Sequence, residues 1–419
     1  MLPLTAAASC RPVVACLGCG SARLRPVLDL GLQPLANNLV APTDANPAEQ
    51  VFPLAIQLCE SCRLVQLTHV VDPALMFSSY LYVPSTSTTW LEHCEALADY
   101  VNACGHLAPG NLVVEIGSND GTLLRAFQRR GLRVLGVDPA GNIAAQANAS
   151  GVPTLNRFFG EATAAEILAD HGPARAVIST NVLAHVPDPL GVLRGVRSLL
   201  HPDGIYVNES PSLRELVEHT EFDTIYHEHV FYFSLHALQG LCERAGLTVV
   251  DAAPQPIHGG SLRLLAAPSV RAVDTPPAVA ALLAAERRAG VVDTSGLQAF
   301  ARRTAALRRR LRDLVSRLHA EGLRLAAYGA TAKGNTLLGY CGLTAADIEY
   351  VVDRNPLKQG RLTPGARMPI VSPDHLAAQP PDVLLLLAWN LADEIRQQLA
   401  WFSRRGGRFL IPVPEPRVV

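Results

Sequence analysis

The sequence predicts an α/β protein with two doubly wound parallel sheets, a helical connector between them and a small metal-binding module in front. Three observations predict it. Short apolar runs alternate with helical runs over residues 76–265 and again over 321–419, the pattern of strands covered on both faces by helices. Two C-x-x-C pairs sit in a proline-rich opening with weak periodicity. The 419 residues leave room for two to four domains at roughly 100–200 residues each. The expected boundaries are 1–75, 76–265, 266–320 and 321–419. No repeat of 20–50 residues is present.

Composition removes several classes. Hydrophobic residues make up 49% and charged residues 17%, a core-forming balance that excludes a largely disordered chain. Lys+Arg number 36 against 37 Asp+Glu, so the basic excess of a protein that wraps nucleic acid is missing. No run approaches the ~20 apolar residues of a membrane span, and Val383–Trp389 reads as a buried strand. The opening MLPLTAAASC lacks the basic start of a secretory signal. Nine cysteines, an odd number, make a poor disulfide framework, and a reduced, cytoplasmic setting is expected.

In the opening module, Cys16-Leu-Gly-Cys19 and Cys59-Glu-Ser-Cys62 are separated by 39 residues. Each pair can place two thiolates on one tetrahedral zinc ion. Gly18 and Gly20 suit the tight turn of such a knuckle. Four thiolates leave no position for water, so the zinc is expected to be structural. A redox pair is the competing reading.

The next region alternates a strand Asn111–Ile116, a helix Leu123–Arg130, a strand Arg133–Val137, a helix Thr163–His171 and a strand Ala176–Ser179. Its loop, Val113-Val-Glu-Ile-Gly-Ser-Asn-Asp-Gly121, departs from the G-x-G-x-x-G spacing that pyrophosphate contact needs. Asp138 closes the following strand, where a carboxylate can accept both hydroxyls of a ribose. A glycine loop without a phosphate pattern, joined to a ribose-binding acid, fits a nucleoside lacking phosphates, S-adenosylmethionine above all. Glu115, Gly117, Ser118, Asp120, Gly121 and Asp138 are the expected contacts. Asn181 and His185 follow the next strand, whose end faces the ligand crevice.

The stretch Glu221–Ser234 carries Tyr226, His227, Glu228 and His229 in succession. If extended, it would place Tyr226 and Glu228 on one side and the two histidines on the other. A carboxylate near an imidazole fixes its tautomer and raises its basicity. A metal on the two histidines lacks further ligands. Tyr80 and Tyr82 lie in a polar loop to which the residues alone assign no role.

In the connector, Leu297, Phe300, Thr304, Leu307, Leu311, Leu314 and Leu318 form an amphipathic stripe. Arg302, Arg303, Arg308, Arg309, Arg310, Arg312 and Arg317 read as its solvated face, with nucleic-acid contact or anion steering as the alternative. The last region has strands Arg324–Tyr328, Ile348–Val352 and Val383–Leu387 and a helix from Asn335. Its loop Gly329–Asn335 offers a helix N-terminus and Lys333, which suit a diphosphate and bring in Gly334 and Asn335. Asp353 stands where Asp138 stands in the first sheet. A Rossmann repeat without ligand is the competing reading.

Taken together, these motifs resemble the sugar C-methyltransferases of deoxysugar biosynthesis. The resemblance spans nearly the whole chain: the four cysteines, Glu115–Gly121, Phe222–Ser234, His258-Gly-Gly-Ser-Leu-Arg263, Tyr328–Asn335, Val352–Gly360 and Ala388-Trp-Asn390. It implies a structural zinc, a central class I methyltransferase domain using S-adenosylmethionine, and a C-terminal Rossmann-like domain that helps hold a nucleotide-linked 4-keto sugar, dTDP-linked. It further implies His229 as general base, with Tyr226, Glu228, His185 and Tyr80 around it, C3 as the carbon methylated, and a monomer without nucleic-acid or membrane partners. Competing functions are an O-methyltransferase on the same donor domain, a zinc-ribbon RNA methyltransferase and a non-catalytic nucleotide-sugar binder.

Overall fold

The computed structural model describes residues 9–42, 49–77, 88–257, 259–269 and 275–419. Tyr80, Tyr82 and His258 lie outside the described residues. Among the described residues, no helix is long and apolar enough to cross a membrane.

Seven strands form the central sheet, in the order Leu247–Gln255, Ser261–Pro268, Leu200–Pro211, Ala174–Thr180, Leu112–Ile116, Arg133–Val137 and Thr154–Leu155. The last five pair in parallel, and the first two join antiparallel. Leu112–Ile116 is buried at every position, as expected of a strand covered on both faces. The sequence reversal between Leu112–Ile116 and its neighbours opens the crevice at the strands' carboxyl ends.

A second parallel sheet runs Ile370–Val371, Val351–Val352, Leu325–Tyr328, Val383–Leu386 and Arg408–Ile411, with Arg417–Val418 antiparallel at its edge. Its first helix starts at Ala332, not Asn335, because the Thr331 hydroxyl accepts the Gly334 amide at 3.0 Å and caps it.

Two antiparallel strands, Leu24–Pro34 and Val51–Cys59, dominate the cysteine-rich opening. Sequence periodicity did not reveal them. Val65–Leu67 extends this sheet, and Phe231–Tyr232 completes it. The strand that follows Tyr226–His229 is thus part of the N-terminal sheet.

The strand Ser261–Pro268 runs past the boundary expected at residue 265. Two helices follow, Pro277–Ala289 and Thr294–Ala320. The longer one buries Leu297, Phe300, Thr304, Leu307, Leu311, Val315 and Leu318, against the N-terminal and C-terminal sheets. Val315 replaces the expected Leu314, because 3.6 residues per turn drifts against a strict 3.5 repeat. The arginine face is largely solvated, with internal tethers. Arg303 donates to the Val217 carbonyl at 2.5 Å, Arg312 to the Cys341 carbonyl at 2.8 Å, and Arg308 lies 4.9 Å from the Tyr340 ring centroid.

Candidate active site

The two knuckles have matching turns. The Gly20 amide donates to the Cys16 carbonyl at 2.7 Å, and the Arg63 amide donates to the Cys59 carbonyl at 2.9 Å. Both turns need a left-handed residue, at φ 74° for Gly20 and 62° for Arg63. Gly18 has a different reason: a Cβ there would lie 2.8 Å from Leu64 Cδ2. The four Sγ atoms lie within 4.8 Å of one another. Cys16 and Cys62 approach to 3.5 Å, and Cys19 and Cys59 to 3.6 Å. A tetrahedral ion with Zn–S bonds of about 2.3 Å needs edges of about 3.8 Å. The thiolates fit zinc.

At the donor loop, Gly117 has φ 65°, and a Cβ there would meet Val182 Cγ2 at 2.3 Å. Gly121 has φ 77° and the same crowding against Val152. Asp138 accepts the Asn119 amide on Oδ2 and the Ala140 amide on Oδ1, both at 2.9 Å. Each oxygen keeps a lone pair for a ligand hydroxyl. Glu115 is buried with Oε2 unpartnered, and burial, then the charges of Asp138 and Asp120, push its carboxyl well up. The side-chain Oδ1 of Asn181 is also buried without a partner, on a residue held at φ 56°. Orphaned polar atoms around a glycine turn fit S-adenosylmethionine. Ser118 Oγ is buried without a partner as well, and Asp120 uses one oxygen locally. At the start of the following helix, Asp120 Oδ1 accepts the Thr122 hydroxyl at 2.7 Å and the Thr122 amide at 3.2 Å. Ser118 packs under the loop, where a Cβ on Gly136 would lie 2.3 Å from its Oγ.

The extended alternation expected for Tyr226–His229 is replaced by a turn. The His229 amide donates to the Tyr226 carbonyl at 2.9 Å, which folds the two side chains together. Tyr226 Oη lies 2.8 Å from His229 Nε2, with ring centroids 4.1 Å apart. His229 Nδ1 lies 3.0 Å from the Thr224 carbonyl. A carbonyl only accepts, so Nδ1 carries the proton and Nε2 the lone pair. The Tyr226 hydroxyl therefore donates to Nε2. His229 is buried and Tyr226 only partly so. His185 stands edge-on to His229, with centroids 4.8 Å apart. Burial, reinforced by His185, holds His229 well below the usual imidazole range, and burial lowers His185 to about 4.

Glu228 is not the carboxylate that orients an imidazole. Its Oε1 accepts from Asn37 Nδ2 at 2.6 Å. Burial pushes its carboxyl up to about 7, against the pull of that bond. His227 points away, edge-on to Phe52 at 5.9 Å, with its ring nitrogens buried and unpaired by any side chain.

Lys333 reaches this centre from the C-terminal sheet, in company that sequence reasoning missed. Its Nζ lies 5.2 Å from the Trp389 ring centroid. Trp389 Nε1 donates to Asp223 Oδ2 at 2.6 Å. A Cβ on Gly259 would lie 3.1 Å from Glu221 Oε2 and 3.3 Å from Lys333 Nζ, so this glycine runs between the two charges. Burial raises Glu221 to about 8 and Asp223 to about 6, with Lys333 opposing both. Gly334 and Asn335 are used internally. A Cβ on Gly334 would strike Leu387 at 2.7 Å, and Asn335 Nδ2 donates to the Ala36 carbonyl at 2.7 Å. Asp353 repeats the Asp138 arrangement, accepting Ala330 and Asn355 amides at 2.9 and 2.8 Å. Unlike Asp138, it also faces a cation, Lys358 Nζ at 3.5 Å.

A seven-stranded sheet with this loop and strand-end acid defines a class I methyltransferase. The chain belongs to the C-methyltransferase family: it is 43% identical over 409 residues to the C-methyltransferase NovU of Streptomyces niveus, covering 98% of this chain and 97% of that protein. Family models for a zinc binding domain, a methyltransferase domain and a C-methyltransferase C-terminal domain match residues 16–77, 90–252 and 256–414. A ubiquinone biosynthesis O-methyltransferase of Xanthomonas campestris pv. campestris is 34% identical over 108 residues, 25% of this chain and 45% of that protein. Among solved structures, magnesium protoporphyrin IX methyltransferase from Synechocystis, with bound SAM, aligns at a TM-score of 0.32 and 16% identity, over 42% of this chain and 78% of that chain.

Proposed function

We propose that this C-methyltransferase acts on a nucleotide-linked 4-keto-deoxysugar, dTDP-linked, and methylates C3, the carbon next to the ketone. The observation that carries the reading is the Tyr226–His229 pair. A hydrogen alpha to a ketone is acidic enough for a protein base, and His229 offers a neutral imidazole with its lone pair on Nε2. Nε2 takes the alpha proton as the Tyr226 hydroxyl turns from it toward the substrate oxygen, and Nδ1 stays anchored to the Thr224 carbonyl, so the imidazole itself needs no reorientation. Tyr226 presents a hydroxyl donor beside the base, suited to the oxygen that gains charge as the enolate forms. Glu228, ionised, accepts from a substrate hydroxyl. Lys333, at the N-terminus of its helix, attracts the diphosphate, with Trp389, Asp223 and Glu221 holding its position. When bound, S-adenosylmethionine supplies an electrophilic methyl group. Glu115, Gly117, Asp138 and Asn181 would hold it. Tyr80 joins the centre by resemblance.

The test is product analysis with a 13C-labelled methyl donor and dTDP-4-keto-6-deoxyglucose. A methyl carbon coupled to a ring carbon supports C-methylation, and a methyl on oxygen overturns it. The donor assignment has its own check. Asp138→Ala removes the ribose acceptor and is expected to weaken S-adenosylmethionine binding by ~1.5–3 kcal/mol, as for a charge-assisted hydrogen bond. Calorimetry giving an unchanged affinity would remove Asp138 from the site.

A further inference from the structure

We propose that Asn37 is a positioning residue for Glu228, delivered to the active site by a turn that the C-terminal domain clamps. This deepens the reading of Glu228 given above and rests on it. The Asn38 amide donates to the Leu35 carbonyl at 3.0 Å, closing a β-turn with Ala36 and Asn37 at its centre. Both sides of that turn are engaged. Asn335 donates to the Ala36 carbonyl at 2.7 Å from the first helix of the C-terminal domain. Asn37 donates to Glu228 at 2.6 Å on the catalytic turn. Further along, Val40 exchanges amide hydrogen bonds with Leu362 at 3.0 and 2.8 Å. On the approach, a Cβ on Gly339 would lie 2.1 Å from Gln33 Oε1, so that glycine admits the incoming chain.

Asn37 is an exposed residue, whereas Glu228, whose carboxyl it holds, is buried. Its side chain therefore closes the open side of Glu228 with a directed N–H donor. An amide donor favours the carboxylate over the carboxylic acid, and it fixes which oxygen is left for a substrate. The other titratable groups around Glu228 are His185, whose ring bonds to the Glu228 backbone, and its chain neighbours Tyr226, His227 and His229. The histidines are held neutral by burial. They supply no competing positive charge, so the Asn37 bond is the support the carboxylate has. Burial leaves this carboxyl close to neutrality, where one hydrogen bond decides its charge.

The test uses the full-length protein with 13Cδ-labelled glutamate. The Glu228 signal is identified by its loss in Glu228→Gln and titrated by NMR. Asn37→Ala is expected to move its midpoint up by about one pH unit, at the strength of a hydrogen bond to a charged group. Asn37→Gln is expected to restore part of the shift. Asn335→Leu, which releases the Ala36 carbonyl, is expected to shift it in the same direction. Because Asn37 is exposed, its variants should melt with the wild type, which separates the shift from a folding defect. An unmoved midpoint in Asn37→Ala overturns the proposal. Turnover of dTDP-4-keto-6-deoxyglucose is read separately. If Glu228→Gln keeps full turnover, the catalytic reading of Glu228 fails while the Asn37 shift can still be present.

Discussion

His229→Asn is expected to bind both ligands nearly normally and to lose turnover by ~10²–10⁴-fold, the usual contribution of a positioned general base. The amide can keep the hydrogen bond to the Thr224 carbonyl, but it has no lone pair basic enough to take a proton. A keto-sugar substrate should exchange its alpha hydrogen with deuterated solvent in the wild type, and the exchange should vanish in the variant. Asparagine keeps a polar group in a buried place, so the fold should survive. His227→Asn is the control. Its ring packs on Phe52 and faces away from Tyr226, so it should keep the exchange and cost only stability. Exchange that persists in His229→Asn and is lost in His227→Asn would sink the assignment. Loss in neither would move the base elsewhere, with His185 tested next.

The direction of the pH dependence follows from the same burial. Protonating a buried imidazole takes a charge out of water, so His185 stays neutral down to about pH 4, and His229 is held well below the usual imidazole range. If His229 is the base, it is therefore in its accepting form throughout the neutral range. The groups that change charge there are Glu228, at about 7, and Glu221, at about 8. If the Glu228 carboxylate is the working form, turnover rises as pH climbs through about 7, and Glu228→Gln flattens the limb. A limb that survives in Glu228→Gln belongs to another group, and Glu221, at about 8, and Asp223, at about 6, are the next to test.

Much of the fold was legible because continuous apolar runs can only be buried strands. Leu112–Ile116, Arg133–Val137 and Val383–Leu386 fall where the pattern puts them. The N-terminal sheet was hidden because Pro26, Pro34 and Pro53 interrupt its strands and two register shifts break the alternation. The cysteine pairs were plain because ligand spacing is local. The Tyr226–His229 pair was legible as residues but not as geometry, since period two was assumed where a turn stands. Asn37 gave no signal at all. Its partner Glu228 is 191 residues away, and Asn335 is 299 residues from Ala36. The local role of Asp120 was not legible either, because an acid after a glycine turn serves a helix N-terminus as readily as a ligand.

Removing the zinc is expected to disturb the active site as well as the module that holds it. The buried apolar side chains of residues 16–77 are shared with the neighbouring domains, and Cys16, Cys59 and Leu64 belong to the same core as the central sheet. Burial raises the Cys19 thiol to about 11, and the Cys16 bond and burial raise Cys62 beyond that. Without a cation these thiols stay protonated and cannot cross-link the two knuckles. Zinc binding is worth about 10–16 kcal/mol in small zinc peptides, and binding to the folded form alone adds directly to stability. The sheet that the knuckles anchor ends in Phe231–Tyr232, two residues after His229. Loosening that sheet should therefore free the catalytic turn. Elemental analysis should find about one zinc per chain. Chelation, or Cys59→Ser, should lower the melting temperature by roughly 5–10 °C and increase hydrogen exchange at Phe231 and Tyr232. Turnover should fall with that protection, while S-adenosylmethionine affinity, which we assign to Gly117 and Asp138 in the other sheet, should change little. Active protein that contains no zinc, or chelated protein with unchanged melting and exchange, would exclude this role for the four thiolates.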